Sequence, residues 1–173
     1  SSAASDVYKR QREAIAQALA TPSYRYLAAG FLVCGFHVAF LATHLPGVIA
    51  ACGLAPEVGG WSLAVIGLFN IVGSLAMGWA VGRWRMKSLL SLLYATRGLA
   101  VLIFLFAPKT PAVVLVFAAV MGITFLSTVP PTAGLVAKMF GTANMAMLFG
   151  IVMLSHQIGG FLGAYLGGSV FQA

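Results

Sequence analysis

The residue with the clearest chemical potential in this sequence is an arginine inside an apolar run. Arg97 is the only charged residue between Ser88 and Ala107. A cation at the centre of a membrane span costs about 2.5–3.5 kcal/mol, so its side chain should face a partner or a cavity. A guanidinium can bind a carboxylate through two parallel N–H donors. The alternative is a structural arginine that extends toward the membrane surface or caps the carbonyls of a neighbouring helix end.

Three histidines and an asparagine are further candidates for lining a substrate pathway. His37 and His44 lie seven residues apart, which places them on one helix face, while Asn70 and His156 each share a face with glycines. A histidine could carry a proton, or it could make an interhelical hydrogen bond worth about 1 kcal/mol. We favour the hydrogen bond for His44 and His156, and for His37 both interpretations stay open. Two histidines without further ligands do not make a metal site, so no metal and no other cofactor is expected.

Consecutive prolines interrupt a later apolar run. Pro130 and Pro131 have no N–H, so a helix through them loses two backbone hydrogen bonds and kinks. Such backbone is tolerated at membrane depth only where protein or a water-filled cavity surrounds it. With Ser127 and Thr128 beside it, the kink is a candidate hinge or cavity wall, and these two hydroxyls are candidate substrate ligands. A static kink is the alternative.

The elements that must position these residues are membrane helices. The chain is 61% hydrophobic and 8% charged, whereas soluble domains carry about 25% charged residues. An apolar helix of about 20 residues spans the hydrocarbon core. The sequence therefore predicts an all-α integral membrane protein with a transmembrane domain over residues 23–173, and its five spans are residues 24–49, 61–82, 88–107, 112–140 and 143–171.

Positive charges indicate the orientation. Lys and Arg concentrate before the first span, between the second and third, and near the end of the fourth, whereas the opposite side has Lys109. Cytoplasmic loops carry this excess, so the N-terminus is predicted to be cytoplasmic, in a plasma or inner membrane. The net charge of +7 is thereby explained without nucleic acid, which is not an expected partner.

Residues 1–22 have a different composition and form a predicted cytoplasmic tail. Residues 1–11 resemble an adapter-derived leader of the kind that precedes assembled environmental sequences, so they are expected to be non-native. The segment Glu13–Ala20 could be a short amphipathic helix on the membrane surface, but a linker is favoured.

Glycine spacing predicts close helix packing. The G-x-x-x-G pattern occurs at Gly78 and Gly82 and again at Gly159, Gly163 and Gly167. This spacing removes side chains from one face and lets helix backbones approach each other in lipid.

The loop after the second span carries a resemblance. Gly78 is followed by Gly82, Arg83, Arg85 and Lys87, a pattern that resembles the second, degenerate copy of the cytoplasmic loop motif of the major facilitator superfamily. Gly82 stands where that motif has an acidic residue, and Arg85 stands where it has a glycine. The proline pair and the glycine-rich fifth span add to the similarity, which covers about residues 22–173.

The resemblance implies helices seven to eleven of a twelve-helix transporter. On this interpretation the chain is a fragment, and its partners are the missing N-terminal half, the bilayer and a small solute. The intact protein would transport by alternating access between two six-helix halves. A cavity without acids and with one arginine is similar to the organic-anion and monocarboxylate branch, with Arg97 as counter-charge.

Other functions are open to an apolar helical chain. A drug or amphiphile exporter would have a mainly apolar cavity and a structural Arg97. A non-transporting assembly subunit would need no cavity. An intramembrane enzyme would need a nucleophile with a base or a metal set, and the sequence has neither a G-x-S-x-G nor an H-E-x-x-H pattern; no enzymatic activity is expected.

Overall fold

The computed structural model describes the backbone of residues 2–172 and the side chains of residues 5–170. Within this range every regular element is a helix and there is no strand, which confirms the predicted all-α fold. The helices are α1 (Ser2–Ala20), α2 (Pro22–Ala51), α3 (Pro56–Ala80), α4 (Met86–Phe106), α5 (Pro111–Thr124), α6 (Val129–Phe140) and α7 (Met145–Gln172).

Five segments are long and apolar enough to cross a membrane, as predicted: α2, α3, α4, α5 together with α6, and α7. Their bounds differ modestly from the predicted ones. Helix α3 begins at Pro56, because proline is well placed in the first helical turn, where an N–H has no intrahelical partner. Glu57 therefore lies inside the third helix, in the first turn, where the helix dipole favours a negative charge.

The N-terminal segment is helical in the structure. Where the sequence favoured a linker for Glu13–Ala20, helix α1 runs from Ser2 to Ala20 and ends beside Thr21, whose hydroxyl donates to the Gln17 carbonyl at 2.8 Å. Ala18 is fully buried and Ile15 is partly buried against the core, and these contacts hold the segment. The predicted non-native leader, residues 1–11, includes Ser1, which lies outside the described residues.

Two close helix pairs build the bundle. In the first, α2 packs along α7; in the second, α3 packs along α5, and α4 lies beside α5 and α6. Glycines allow both close approaches. A Cβ at Gly159 would collide with the carbonyl oxygen of Leu32, and a Cβ at Gly73 would collide with that of Ile123. The backbones of each pair are therefore in direct contact, the arrangement in which lipid-embedded helices gain van der Waals contact.

Buried apolar side chains form two clusters, one toward each end of the bundle. One is centred on Met121 and Ile49, and the other on Tyr24 and Val152. Large side chains such as Leu105 and Phe106 remain exposed on the outside, where a bilayer would surround them.

The fourth span is broken near its middle. Helix α5 ends at Thr124, a short 3-10 segment follows at Leu126–Thr128, and α6 begins at Val129. The break lies just before the prolines because a proline ring clashes with the carbonyl four residues earlier. The Leu126 carbonyl, which Pro130 cannot serve, accepts a hydrogen bond from the N–H of Val129 instead. The two prolines then lie in the first turn of α6, where no N–H is needed.

Candidate functional site

Arg97 lies in the middle of α4 and is 3% exposed. Its Nη1 donates to the sulfur of Cys34 at 3.0 Å, and its Nη2 donates to the carbonyl oxygens of Thr124 and, at 3.3 Å, Phe125. The guanidinium thus caps carbonyls at the end of α5, which is the structural role that the sequence left open. Its Nε has no hydrogen-bond partner among the described residues.

Asn70 lies on the opposite side of the same break. Its side-chain oxygen accepts a hydrogen bond from the backbone N–H of Leu126 at 2.9 Å. Two polar residues that the sequence singled out separately, on α3 and α4, therefore meet at one interruption of a third span. Arg97 supplies donors to the carbonyl side of the break, and Asn70 supplies an acceptor to its amide side.

A cavity of about 630 Å³ lies between α2 and α4, and Arg97 and His37 both line it. The rest of the lining is mostly apolar and comprises Gly30, Val33, Cys34, Tyr94, Gly98, Val101 and Leu102. Arg97 is the only charged residue of this lining. Next to it, the Tyr94 hydroxyl is buried without a hydrogen-bond partner among the described residues.

Sequence reasoning did not single out Cys34 and Tyr94. Cys34 is buried within hydrogen-bond distance of Arg97, and its sulfur lies 3.6 Å from the Thr128 hydroxyl oxygen. Each of the two missed residues lies three positions before a residue that was singled out, His37 or Arg97. Residues three apart share a helix face, and that spacing is the signal that could have identified them.

Ser127 and Thr128, predicted as substrate ligands, are buried and bond to nearby carbonyls. The Ser127 hydroxyl donates to the Ile123 carbonyl, and the Thr128 hydroxyl donates to the Phe125 carbonyl at 3.2 Å. Neither residue lines the cavity beside Arg97. In the structure their hydroxyls hold backbone around the break that precedes Pro130 and Pro131.

The three histidines of the first and last spans have different surroundings. His44 makes a hydrogen bond between its Nε2 and the carbonyl oxygen of Ala164 at 3.1 Å, which confirms the interhelical bond favoured for it. The ring of His156 packs on Phe31, with 5.1 Å between centroids. His37 instead faces the cavity, so the seven-residue spacing of His37 and His44 does not bring them to a common site.

The loop motif and the glycine motifs lie away from Arg97. Arg83 stacks over Trp79 at 3.9 Å, Arg85 precedes the first turn of α4, and Lys87 lies in that turn. A Cβ at Gly78 would meet nothing within 4 Å. A Cβ at Gly82 would meet only the Trp79 carbonyl oxygen, three residues earlier, at 3.6 Å. By contrast, a Cβ at Gly163 would collide with the Phe36 carbonyl and one at Gly167 with the His44 ring. Over the described part of the chain there is no group of three His, Cys, Asp or Glu side chains that could hold a metal ion.

A family model described as Major Facilitator Superfamily matches residues 14–173. A curated relative, the uncharacterized MFS-type transporter YcxA of Bacillus subtilis (strain 168), is 29% identical over 149 residues, which cover 83% of this chain and 36% of the relative. The chain thus spans about a third of the length of that relative. No solved structure was found to match the chain.

Proposed function

Because this chain belongs to the major facilitator superfamily, we propose that the protein it represents is a secondary transporter of small solutes that works by alternating access. Five helices suited to crossing a membrane, a curated MFS-type relative and a cavity between two of those helices support this proposal. In alternating access, rigid parts rock about a site near the midplane and expose it to one side at a time.

We place the chain in the C-terminal half of such a transporter, as helices seven to eleven. The degenerate loop motif after α3 supports this placement, and the coverage of 36% of the relative fits a chain that is part of a longer protein. The N-terminal half of the same transporter is then the principal protein partner.

The proposed substrate is a small organic anion, and the single observation that carries this proposal is the position of Arg97. Among the residues that the structure describes, it is the one charged side chain that lies far from either end of its span, and it lines a cavity whose other lining is mainly apolar. Its buried Nε has no hydrogen-bond partner in the part of the chain that the structure describes. A carboxylate entering the cavity would find a cation in a low-dielectric surrounding, where the attraction between charges is strong.

A drug or amphiphile exporter is the second candidate, and one observation favours it. Both Nη atoms of Arg97 are already occupied by the sulfur of Cys34 and by carbonyls at the break. If those bonds persist during transport, the cavity offers an apolar surface with little charge, and it would suit an amphiphilic solute.

The two candidates separate in one experiment. The full-length transporter is reconstituted in liposomes, and uptake of ¹⁴C-lactate is measured for the unaltered protein, Arg97→Ala and Arg97→Lys. Since a hydrogen bond to a charged group contributes about 1.5–3 kcal/mol, the organic-anion proposal predicts uptake at least roughly tenfold lower in Arg97→Ala. Arg97→Lys should be intermediate because it keeps the charge and loses the fork geometry.

The matched control is Arg25→Ala, which removes an exposed arginine near the start of α2 and should leave uptake unchanged. Thermal unfolding of each variant shows whether Arg97→Ala is folded, because that change also removes donors from the break. Unaltered lactate uptake by a folded Arg97→Ala protein would rule out the anion-binding role. In that case, release of an amphiphilic dye by the same liposomes would favour the exporter.

A further inference from the structure

The break in the fourth span leaves a backbone amide without its helical acceptor. In a continuous α-helix the N–H of Leu126 would donate to the carbonyl of Gly122. Here the N–H of Phe125 donates to that carbonyl at 3.2 Å, and the N–H of Leu126 donates to the side chain of Asn70 at 2.9 Å. Because lipid offers no hydrogen-bond partner to a free N–H at membrane depth, the acceptor on α3 stabilises this particular backbone shape.

Close packing brings Asn70 to the break. Gly73 lies one turn after Asn70 on α3, and a Cβ there would collide with the Ile123 carbonyl. From the other side, a Cβ at Gly122 would come within 2.6 Å of the Ile66 carbonyl oxygen. With two glycines at the crossing, the backbones of α3 and α5 touch, and the short side chain of Asn70 reaches across.

The carbonyl side of the break is held differently. Arg97 donates to the carbonyls of Thr124 and Phe125, and it also lines the cavity between α2 and α4. Asn70 does not line that cavity. A ligand in the cavity can therefore compete for the donors of Arg97, whereas it has no contact with the bond that holds Leu126.

We propose that Asn70 is a positioning residue of the transport cycle, which anchors the Leu126 amide so that the break bends about this point. When an anion in the cavity draws Arg97 from the carbonyls of Thr124 and Phe125, the carbonyl side is freed and the amide side stays attached to α3. The anchor acts on the conformational step and not on substrate affinity. This inference rests on the proposed transport function.

The first test separates affinity from turnover. The full-length protein is reconstituted, and initial rates of ¹⁴C-lactate uptake are measured over a range of concentrations for Asn70→Ala, Asn70→Asp and Ser74→Ala. Asn70→Ala should lower the maximal rate about tenfold and change KM less than twofold. Asn70→Asp keeps an acceptor oxygen at the same position and should recover at least half of the maximal rate.

Ser74→Ala is the matched control, one turn further along α3. The Ser74 hydroxyl donates within its own helix, to the Ile71 carbonyl at 3.0 Å, so its loss should change neither parameter. A raised KM in Asn70→Ala with an unchanged maximal rate would identify Asn70 as a substrate contact and overturn the proposal. Unchanged values for both parameters would overturn it as well.

The second test needs no transported solute. Leu126 is 48% exposed, and the rate of maleimide modification of Leu126→Cys can be followed by mass spectrometry of the peptide that contains it. Adding Asn70→Ala should raise this rate at least fivefold, because the segment loses its anchor, whereas adding Ser74→Ala should not. An equal rate with and without Asn70 would overturn the anchor.

The two tests also separate this inference from the proposed function. Absence of lactate uptake by the unaltered protein would count against the organic-anion substrate. The modification rate of Leu126→Cys would still decide for or against the anchor.

Discussion

A buried guanidinium in a membrane span needs acceptors, and Arg97 has three of them. They are the sulfur of Cys34 and the carbonyls of Thr124 and Phe125. Hydrogen bonds to charged groups contribute about 1.5–3 kcal/mol each, and inserting the charge costs about 2.5–3.5 kcal/mol. The contacts of the broken span are therefore sufficient to offset the insertion cost, and at the same time the arginine stabilises the break.

That the Arg97 side chain faces a partner or a cavity could be predicted from the sequence, because a charge in an apolar run needs a partner. Its acceptors could not be predicted, since two of them are backbone carbonyls 27 and 28 residues away that are available only at the break. Cys34 escaped notice for a different reason. In the sequence, a cysteine within an apolar run resembles an ordinary core residue. Only the packing of α2 against α4 shows that its sulfur accepts a hydrogen bond from Arg97.

Removal of the Tyr24 hydroxyl should lower the stability of the protein. Tyr24 is 1% exposed, and its hydroxyl donates to the Leu148 carbonyl at 2.7 Å, which links α2 to α7. Tyr24→Phe should lower the free energy of unfolding by about 1 kcal/mol, the usual net contribution of a hydrogen bond. The measurement is unfolding of the protein by titration with a denaturing detergent.

Tyr26→Phe is the control, because Tyr26 lies two residues away on the same helix and is 80% exposed. Its substitution should leave the unfolding midpoint in place. Equal midpoints for both variants would show that the Tyr24 hydroxyl contributes nothing to the contact between α2 and α7.

At the scale of the helices, glycines decide which pairs come together. The repeated spacing of Gly159, Gly163 and Gly167 indicated a close interface, and in the structure this face lies against α2. The contact between α3 and α5 depends on Gly73 and Gly122, which lie on different helices. No spacing rule within one helix could reveal it. Conversely, among the described residues no neighbouring helix lies within 4 Å of a Cβ at Gly78 or Gly82, although these glycines have the same spacing.

Two neighbouring glycines of α7 allow a matched prediction. A Cβ at Gly163 would collide with the Phe36 carbonyl, whereas the nearest atom to a Cβ at Gly160 is the Ala39 Cβ at 3.6 Å, an ordinary contact. Gly163→Ala should therefore lower the free energy of unfolding by about 1–3 kcal/mol, as overpacking does. Gly160→Ala should change it little.

Detergent-induced unfolding of the two variants tests this interface. If Gly163→Ala were as stable as the unaltered protein, the two backbones would have to lie further apart than the structure has them. A fall in stability for Gly160→Ala of the same size would mean that any added methyl group on α7 is destabilising, whatever its contact.

The break before the two prolines could be predicted from the sequence, but its exact position and its hydrogen-bond partners could not. Pro130 and Pro131 predicted an interruption, and the structure places it one turn earlier, at residues 125–128. That the break is a hinge stays a prediction. Its hydrogen-bond partners lie on α3 and α4, and they could not be read from the span itself.

At the scale of the whole molecule, charge and hydropathy determine the expected orientation. The exposed residues Arg83, Arg85 and Lys87 follow α3, and exposed Cys52 lies in the turn that precedes it. These two turns are separated by the 25 residues of α3, a helix of roughly 37 Å at 1.5 Å per residue. They therefore lie on opposite sides of a bilayer that α3 crosses.

Thiol labelling provides the corresponding prediction. In intact cells that produce the full-length protein with Trp84→Cys, a membrane-impermeant maleimide should modify Cys52 and leave position 84 unmodified. After the cells are opened, both should react, because both positions are exposed. The orientation follows from the excess of Lys and Arg in cytoplasmic loops.

Buried Cys34 is the internal control and should stay unmodified in both conditions. Modification of position 84 from outside the intact cell would reverse the predicted orientation, and with it the cytoplasmic position of the N-terminus.

The pairing of α2 with α7 has a consequence for biogenesis. The hydroxyl of Tyr24 and its acceptor Leu148 are 124 residues apart, so at roughly 5–20 residues per second the ribosome needs about 6–25 s to make the second after the first. During that interval the face of α2 that contains Gly35 and His44 lacks its partner α7. Insertion machinery, lipid or a transient helix contact must shelter that face until α7 emerges. Stalled translation before residue 145 should therefore leave a nascent chain that quality-control proteases recognise.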